Sequence, residues 1–397
     1  MIQALLITHT HPTLEKPWVT PFIHSFSEAL AEEETLRIHL LVPETAGTLP
    51  KGKMKFHTFF VGSSNRIPHK GIGKSHQKIN LFEQVRFLWS GTRAALKVAK
   101  EEQIDIIHAH WALPSGLIAF LVSKLCSIPY VVTTHGRDVI NAPEYGYAVP
   151  TSPLLRILLR TVLKHASTVV TTSTITARAT DNIYHQARTV HIPVGIDSSW
   201  LAPRDKEYQK QTRIVCIGDL VPIKGQILLL EAIADSKELK GIPVLFIGEG
   251  ADRLRLEIFC QQKNLANVIL TGAKPPLEVR SLLEESSILA FPSQVEAFGL
   301  VILEALACGC RVVGANTGAI ELLKDEPELG EIIIPFTTGD IQELKKSLEI
   351  AILKAPPGND LLEGARSTLK KKYSWNVIAQ QYYHTYKITV GEDSTRN

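Results

Sequence analysis

Short apolar runs alternate with segments in which apolar residues recur every three to four positions, along almost the whole chain. Ala4-Leu5-Leu6-Ile7-Thr8 has the continuous apolar character of a strand buried on both faces, and Phe22 to Ala31 follows with helical spacing. Arg37–Val42, Ile104–His108, Tyr130–Thr134 and Thr168–Thr172 predict further strands, with helices at Phe82–Lys100, Gly116–Cys126 and Pro153–His165. A second series starts at Arg213–Ile217. It runs through Gly225–Asp235, Pro243–Ile247, Asp252–Lys263 and Val268–Leu270 to Ser286–Phe291 and Ile332–Ile334. The polar stretch Arg204–Gln211 between the two series reads as a linker. Strands alternating with helices at this spacing predict α/β architecture with two doubly wound halves.

Composition bounds this picture without sharpening it. A chain of 397 residues is longer than one typical domain, 45% hydrophobic content suffices for two cores, and 21% charged residues exclude a disordered class. Met1 is not followed by a basic segment and an apolar core, and no apolar run approaches the ~18 residues of a spanning helix. The richest, Leu117–Cys126, already contains Lys124. A soluble, cytoplasmic protein is expected. Five scattered cysteines without a Cys-x-x-Cys pair read as reduced thiols.

Charge changes the picture more. Residues 1–195 hold 20 Lys and Arg against 13 Asp and Glu, whereas the remainder holds 23 against 27. Much of the positive excess lies in Lys51–Lys55 and Arg66–Lys78. Such segments are solvated loops, or they attract an anionic acceptor or an acidic membrane surface. Arg156, Arg160 and Lys164, four apart among leucines, would line one stripe of a helix.

The chemistry concentrates in Pro292–Gly309. A buried strand, Ser286–Phe291, is closed by Pro292, and Leu300, Leu303, Leu306 and Ala307 then recur at helical spacing up to Gly309. Glu296 falls on the strand-to-helix turn and Glu304 about one turn into the helix. Phe298, Gly299 and Leu300 supply amides at a helix start, where the dipole favours an anion, and Gly299 permits close backbone approach. Carboxylates accept sugar hydroxyls and free amides accept phosphate, so the combination suits a nucleotide sugar. Two other motifs fail inspection. Gly73-Lys74-Ser75 lacks the first glycine of a P-loop, which falls on Pro68. The pairs His9-x-His11 and His108-x-His110 lack the further ligands of a binuclear metal site.

The stretch Pro-Ser-x-x-Glu-x-Phe-Gly-Leu-x-x-x-Glu-Ala-x-Ala-x-Gly, from Pro292 to Gly309, resembles the Glu-x7-Glu signature of retaining glycosyltransferases with the GT-B fold. This is the large group 1 family typified by bacterial mannosyl- and glucosyltransferases. Gly218–Gly225 resembles its phosphate loop, Thr134–Asp138 its His-Gly-x-Asp turn, and Gly248-Glu249-Gly250 the turn before its nucleotide-facing helix. The resemblance implies two facing Rossmann-like domains with a deep interdomain cleft. Residues 1–197 would bind the acceptor and 198–374 the donor, with a crossover helix at 375–388 rejoining the first domain.

By resemblance Glu304 binds the ribose and Glu296 the transferred sugar. Lys224, Gly218 and the amides of Phe298, Gly299 and Leu300 hold the diphosphate. His135 lies near the donor sugar, and Gly248 faces the nucleotide. Three positions depart from the pattern. Asp219 stands where the family commonly has arginine, Thr317 replaces a glycine before Glu321, and His9–Thr20 contains no glycine. The implied reaction is transfer of a hexosyl group from a UDP-, GDP- or ADP-sugar to a hydroxyl of a glycan or lipid-linked acceptor, in cell-surface polysaccharide or glycoconjugate synthesis. No cofactor, metal or nucleic acid is implied; peripheral contact with an anionic membrane is. A GT-B epimerase or phosphorylase, or a non-catalytic sugar-nucleotide-binding protein, would share the fold, and transfer to an acceptor discriminates against each.

Overall fold

A computed structural model of the chain describes residues 1–17, 19–44, 47–61, 81–145, 152–202 and 210–392. The basic stretch Arg66–Lys78, with Gly73-Lys74-Ser75, lies outside the described residues, as do residues 204–209 of the expected linker. The chain divides into two units. One takes the described residues up to Gly195 together with the closing segment from Trp375, and the other takes the described residues of Ile196–Ser374.

In the first unit seven parallel strands form one sheet: β1 (Ile2–Ile7), β2 (Leu36–Pro43), β3 (Lys55–Phe59), β4 (Ile106–His110), β5 (Tyr130–Thr134), β6 (Thr168–Thr171) and β7 (Thr189–His191). Their spatial order is β3-β2-β1-β4-β5-β6-β7. β1 sits within the sheet, flanked by β2 and β4, so Leu5 and Leu6, which point to opposite faces, are both fully buried. β4 begins two residues later than the apolar run Ile104–Ile107 suggests. Gln103 takes a left-handed φ of 51° and the Ile104 amide bonds the Ala99 carbonyl at 3.1 Å, so Ile104 closes the preceding helix instead. The shift brings His110, rather than His108, to the end of the strand. Lys55, read from sequence as loop, starts the edge strand β3; its polar alternation hides a strand that buries only one end.

The closing helix, Trp375–Val390, packs on helix Pro21–Ala31 and on β4. Tyr382 and Tyr386 are buried there. The Tyr386 hydroxyl meets His108 Nδ1, and Thr133 Oγ1 lies 2.8 Å from His108 Nε2 and 3.1 Å from the Tyr382 hydroxyl. A buried polar set is tolerated only when its members satisfy one another, and this one ties the C-terminal helix to the first unit.

The second unit holds six parallel strands: β8 (Gln211–Ile217), β9 (Val244–Ile247), β10 (Val268–Gly272), β11 (Ser286–Phe291), β12 (Arg311–Ala315) and β13 (Ile333–Phe336), ordered β10-β9-β8-β11-β12-β13. Leu229, Ile233, Phe246, Ile288, Val313 and Leu344 belong to its core. The order reverses between β8 and β11. The helix after β8, Gln226–Ala234, packs with Ile341–Leu353, while the helix after β11, Leu300–Ala307, packs with Asn359–Tyr373. Loops that part in this way leave a crevice beyond the strand carboxyl ends, where ligands of open α/β sheets bind. The first unit has the same reversal between β1 and β4.

Candidate functional site

At the reversal of the second sheet, the loops after β8 and β11 carry Lys224 and Glu296. The chain leaves β8 through Gly218 (φ 145°), makes a 3-10 turn over Pro222–Lys224, and enters its helix at Gly225 (φ 66°). A Cβ on Gly225 would lie 2.1 Å from the Pro292 carbonyl oxygen, so only glycine lets the two loops touch. The Gln294 amide then donates to the Ile223 carbonyl at 2.7 Å. This zipper sets Lys224 Nζ against Glu296 Oε2 in an ion pair whose members are 21% and 13% exposed. Removing either partner from so shielded a pair leaves an uncompensated charge.

Beside the pair, helix Leu300–Ala307 opens at Gly299 (φ 90°) with no side-chain cap. Its first amides therefore have no intrahelical acceptor and face the crevice with the positive end of the helix dipole. Phe298 is buried, and its carbonyl accepts from the Ala319 amide at 2.7 Å, which fixes the turn against the loop after β12. Gly318 completes this clasp: a Cβ there would lie 2.6 Å from the Phe298 oxygen. Glu304 sits one turn into the helix, and burial pushes its carboxyl up from 4.5 to about 7.

That shift has a sign that can be measured. A carboxyl whose pKa is higher folded than unfolded contributes stability that is fully present below pH 4.5 and lost as pH rises through about 7. Glu304→Gln removes the loss. Its Tm is expected to exceed that of wild type by several degrees at pH 8, with roughly 3 kcal/mol as an upper bound, and to match it near pH 4.5. A Tm difference that is the same at both pH values would exclude the buried charge as its cause.

Gly218 and Gly248 meet each other: a Cβ on Gly248 would lie 2.0 Å from the Gly218 oxygen. The glycine requirement at 248 thus comes from packing of the turns after β8 and β9, independent of any ligand. Asp219 is exposed, and its carbonyl accepts from Gln226 Nε2 at 2.9 Å. The loop therefore offers an anion one lysine, and an aspartate where the family commonly has a second cation.

His135 belongs to the first unit, on the turn after β5. Its amide donates to Asp138 Oδ1 at 3.1 Å, and Asp138 Oδ2 accepts from the Ala112 amide at 2.8 Å, so one buried carboxylate ties the turns after β4 and β5 together. Burial raises that carboxyl to about 6. His135 Nε2 lies 3.0 Å from His110 Nδ1, and burial first, then His110, holds its pKa well below the usual histidine value. A neutral imidazole is therefore what this turn presents. Trp111 and Phe22 flank the ring, with centroids 4.5 and 5.1 Å away. Trp111 holds a left-handed φ of 70°, costly for a bulky residue. Periodicity gives no sign of Phe22 or Trp111 as neighbours of His135, since the three come from separate parts of the chain. Glu296, Glu304, Lys224, Gly218, Gly248 and Phe298–Leu300 are gathered in one unit; His135 is in the other.

Among the described residues no helix is long and apolar enough to cross a membrane. Residues 201–367 match the family model of Glycosyl transferases group 1, and residues 19–200 match that of Glycosyltransferase Family 4. The chain is 26% identical to an uncharacterized glycosyltransferase of Methanocaldococcus jannaschii over 84% of its own length and 90% of that protein's. It is 28% identical to a Bacillus subtilis putative teichuronic acid biosynthesis glycosyltransferase, over 75% of each. Among solved structures, HepE of Anabaena in complex with UDP-glucose superposes with a TM-score of 0.70 at 18% identity, covering 98% of this chain and 100% of that one.

Proposed function

The chain belongs to the glycosyltransferases of GT-B fold, and from that premise we propose that it is a retaining hexosyltransferase. The donor is a nucleotide-diphosphate sugar and the acceptor a hydroxyl of a glycan or lipid-linked glycan. The observation that carries the reading is the shielded Lys224–Glu296 pair beside an uncapped helix start, at the point where the sheet order reverses. The donor diphosphate takes Lys224 and the amides of Phe298 to Leu300, which releases the Glu296 carboxylate to accept hydroxyls of the transferred sugar. Glu304 accepts the ribose hydroxyls. The bond from the sugar's anomeric carbon to the diphosphate oxygen breaks as the acceptor oxygen bonds on the same face, and the acceptor's proton passes to the departing phosphate oxygen. Lysine and amides aimed at that oxygen stabilise charge as it develops. The UDP-glucose bound by HepE and the teichuronic acid assignment of the Bacillus protein support the donor class and a role in cell-surface polysaccharide synthesis.

Incubation with a panel of UDP-, GDP- and ADP-sugars tests this. Slow release of nucleoside diphosphate from one donor, with the first-formed sugar product keeping the donor's anomeric configuration, is expected. An inverted product would remove the retaining mechanism, and conversion of donor to an isomeric nucleotide sugar would favour an epimerase.

The acceptor side carries a membrane component. Helix Leu81–Glu101 exposes Phe82, Val85 and Trp89, with Arg86 and Arg93 over the Phe82 and Trp89 rings. Helix Pro153–His165 exposes Leu154 and Ile157 beside Arg156 and Arg160. Both pack against helix Ser115–Cys126 in one layer, so apolar and cationic groups share a face. Amphipathic helices of this composition lie in anionic interfaces. Co-sedimentation with phosphatidylglycerol vesicles, weakened by salt and by Trp89→Ala with Ile157→Ser, is expected; salt-insensitive or absent binding would remove the membrane from the proposal.

A further inference from the structure

We propose that His39, His57 and Glu102 form a binding site for one zinc-type divalent cation, on the first unit and apart from the residues assigned to the donor. His39 lies on β2 and His57 on the edge strand β3, and Glu102 follows helix Leu81–Glu101. The strand register pairs His39 with Lys55 and Leu41 with His57, which sets both imidazoles on the sheet face that this helix covers.

His39 Nδ1 is 3.2 Å from His57 Nε2 and 3.9 Å from Glu102 Oε2, and the three donor atoms lie within 4.8 Å of one another. Two nitrogens bound to one tetrahedral zinc at 2.0–2.1 Å stand about 3.3 Å apart. Gln3 Oε1 lies 3.1 Å from His39 Nε2. An amide oxygen only accepts, so the proton sits on Nε2 and the lone pair of Nδ1 faces His57 and Glu102. This is the outer partner that a metal-bound histidine requires. The site also meets the carboxyl end of a 21-residue helix, whose dipole favours a cation.

Positive charge opposes the cation: Lys55 and Arg37 act on His39, Lys55 and Lys97 act on His57, and Glu101 offsets them in part at His57. Lys55 Nζ holds Glu102 Oε1 at 2.5 Å, leaving Oε2 for the metal. The alternative arrangement is a hydrogen bond from His57 Nε2 to His39 Nδ1 with nothing between them, and the opposition of Lys55 separates the two. A metal bound here would fasten the edge strand to β2 and to the end of the helix.

The test uses the full chain, stripped with chelator and titrated with Co²⁺ and then Zn²⁺. One equivalent of Co²⁺ should give the visible absorption of a tetrahedral site, Zn²⁺ should displace it, and saturating Zn²⁺ should raise Tm by about 5 °C. His57→Ala, on a half-exposed edge position, should abolish the signal. Lys55→Ala should tighten binding about tenfold by removing the opposing charge. Absence of a one-to-one signal, an undiminished signal in His57→Ala, or weaker binding in Lys55→Ala would each overturn the proposal.

Discussion

Lys224→Ala is expected to lower the rate of sugar transfer by about 10²–10³-fold, the usual consequence of deleting one well-placed donor to a developing oxyanion. The loop after β8 supplies this one lysine next to Asp219, and in the proposed donor site the remaining contacts to the diphosphate are backbone amides. The ion pair with Glu296 gives the prediction a second edge. Without ligand Lys224 is engaged by a carboxylate, so a diphosphate has to compete for it. Glu296→Gln should therefore bind nucleoside diphosphate as tightly as wild type or tighter, while transfer falls by about 10²–10³-fold because a charge that orients the sugar is gone. Lys224→Ala should weaken the same ligand by tenfold or more. Steady-state rates and diphosphate affinities for both variants separate the roles. If both weaken diphosphate equally, Lys224 serves only to hold Glu296.

The largest effect on stability is expected from Gly248→Ala. Its φ of 148° is one that side chains with a Cβ rarely adopt, and the added carbon would stand 2.0 Å from the Gly218 oxygen. Neither atom is the end of a flexible side chain. Relief requires separating the turns after β8 and β9, which are held by hydrogen bonds from Gly218 N to the Ile247 oxygen and from Leu220 N to the Glu249 oxygen, each 3.0 Å. Overpacking and backbone strain together cost about 2–4 kcal/mol, or roughly 10 °C in Tm for a unit of this size. Gly241→Ala is the control: nothing lies within 4 Å of its would-be Cβ, and it should stay within about 0.5 kcal/mol of wild type. Similar Tm losses in the two variants would show that the strand-end packing is looser than these contacts imply.

Local signals make part of the site legible in the sequence. Ser286–Phe291 reads as a strand because it is apolar and closed by proline. Leu300–Ala307 reads as a helix because Leu300, Leu303 and Leu306 share a spacing and Gly309, at φ 73°, stops it. Those two elements are enough to put Glu296 on a turn and Glu304 in a helix. Their partners are not legible. Lys224 is 72 residues from Glu296, and only the reversed strand order brings β8 beside β11. The carboxyl shift of Glu304 depends on what packs around it, which no spacing records. In the first unit, Ile104 looks like the start of a strand because an apolar residue at a helix end and one at a strand start have the same character. β3 escapes notice because an edge strand with lysine and histidine on its face carries little apolar periodicity. The Asp138 bridge between two turns and the rings around His135 are products of tertiary packing alone.

The most direct measurement is a calorimetric titration of the full chain with UDP, GDP and ADP, without sugar or acceptor, repeated on Lys224→Ala and Glu296→Gln. One of the three nucleotides should bind at a single site, tenfold or more weaker in Lys224→Ala and undiminished in Glu296→Gln. Binding of unchanged strength in Lys224→Ala, or no binding of any nucleotide at millimolar concentration, would contradict a donor site built on the Lys224–Glu296 pair.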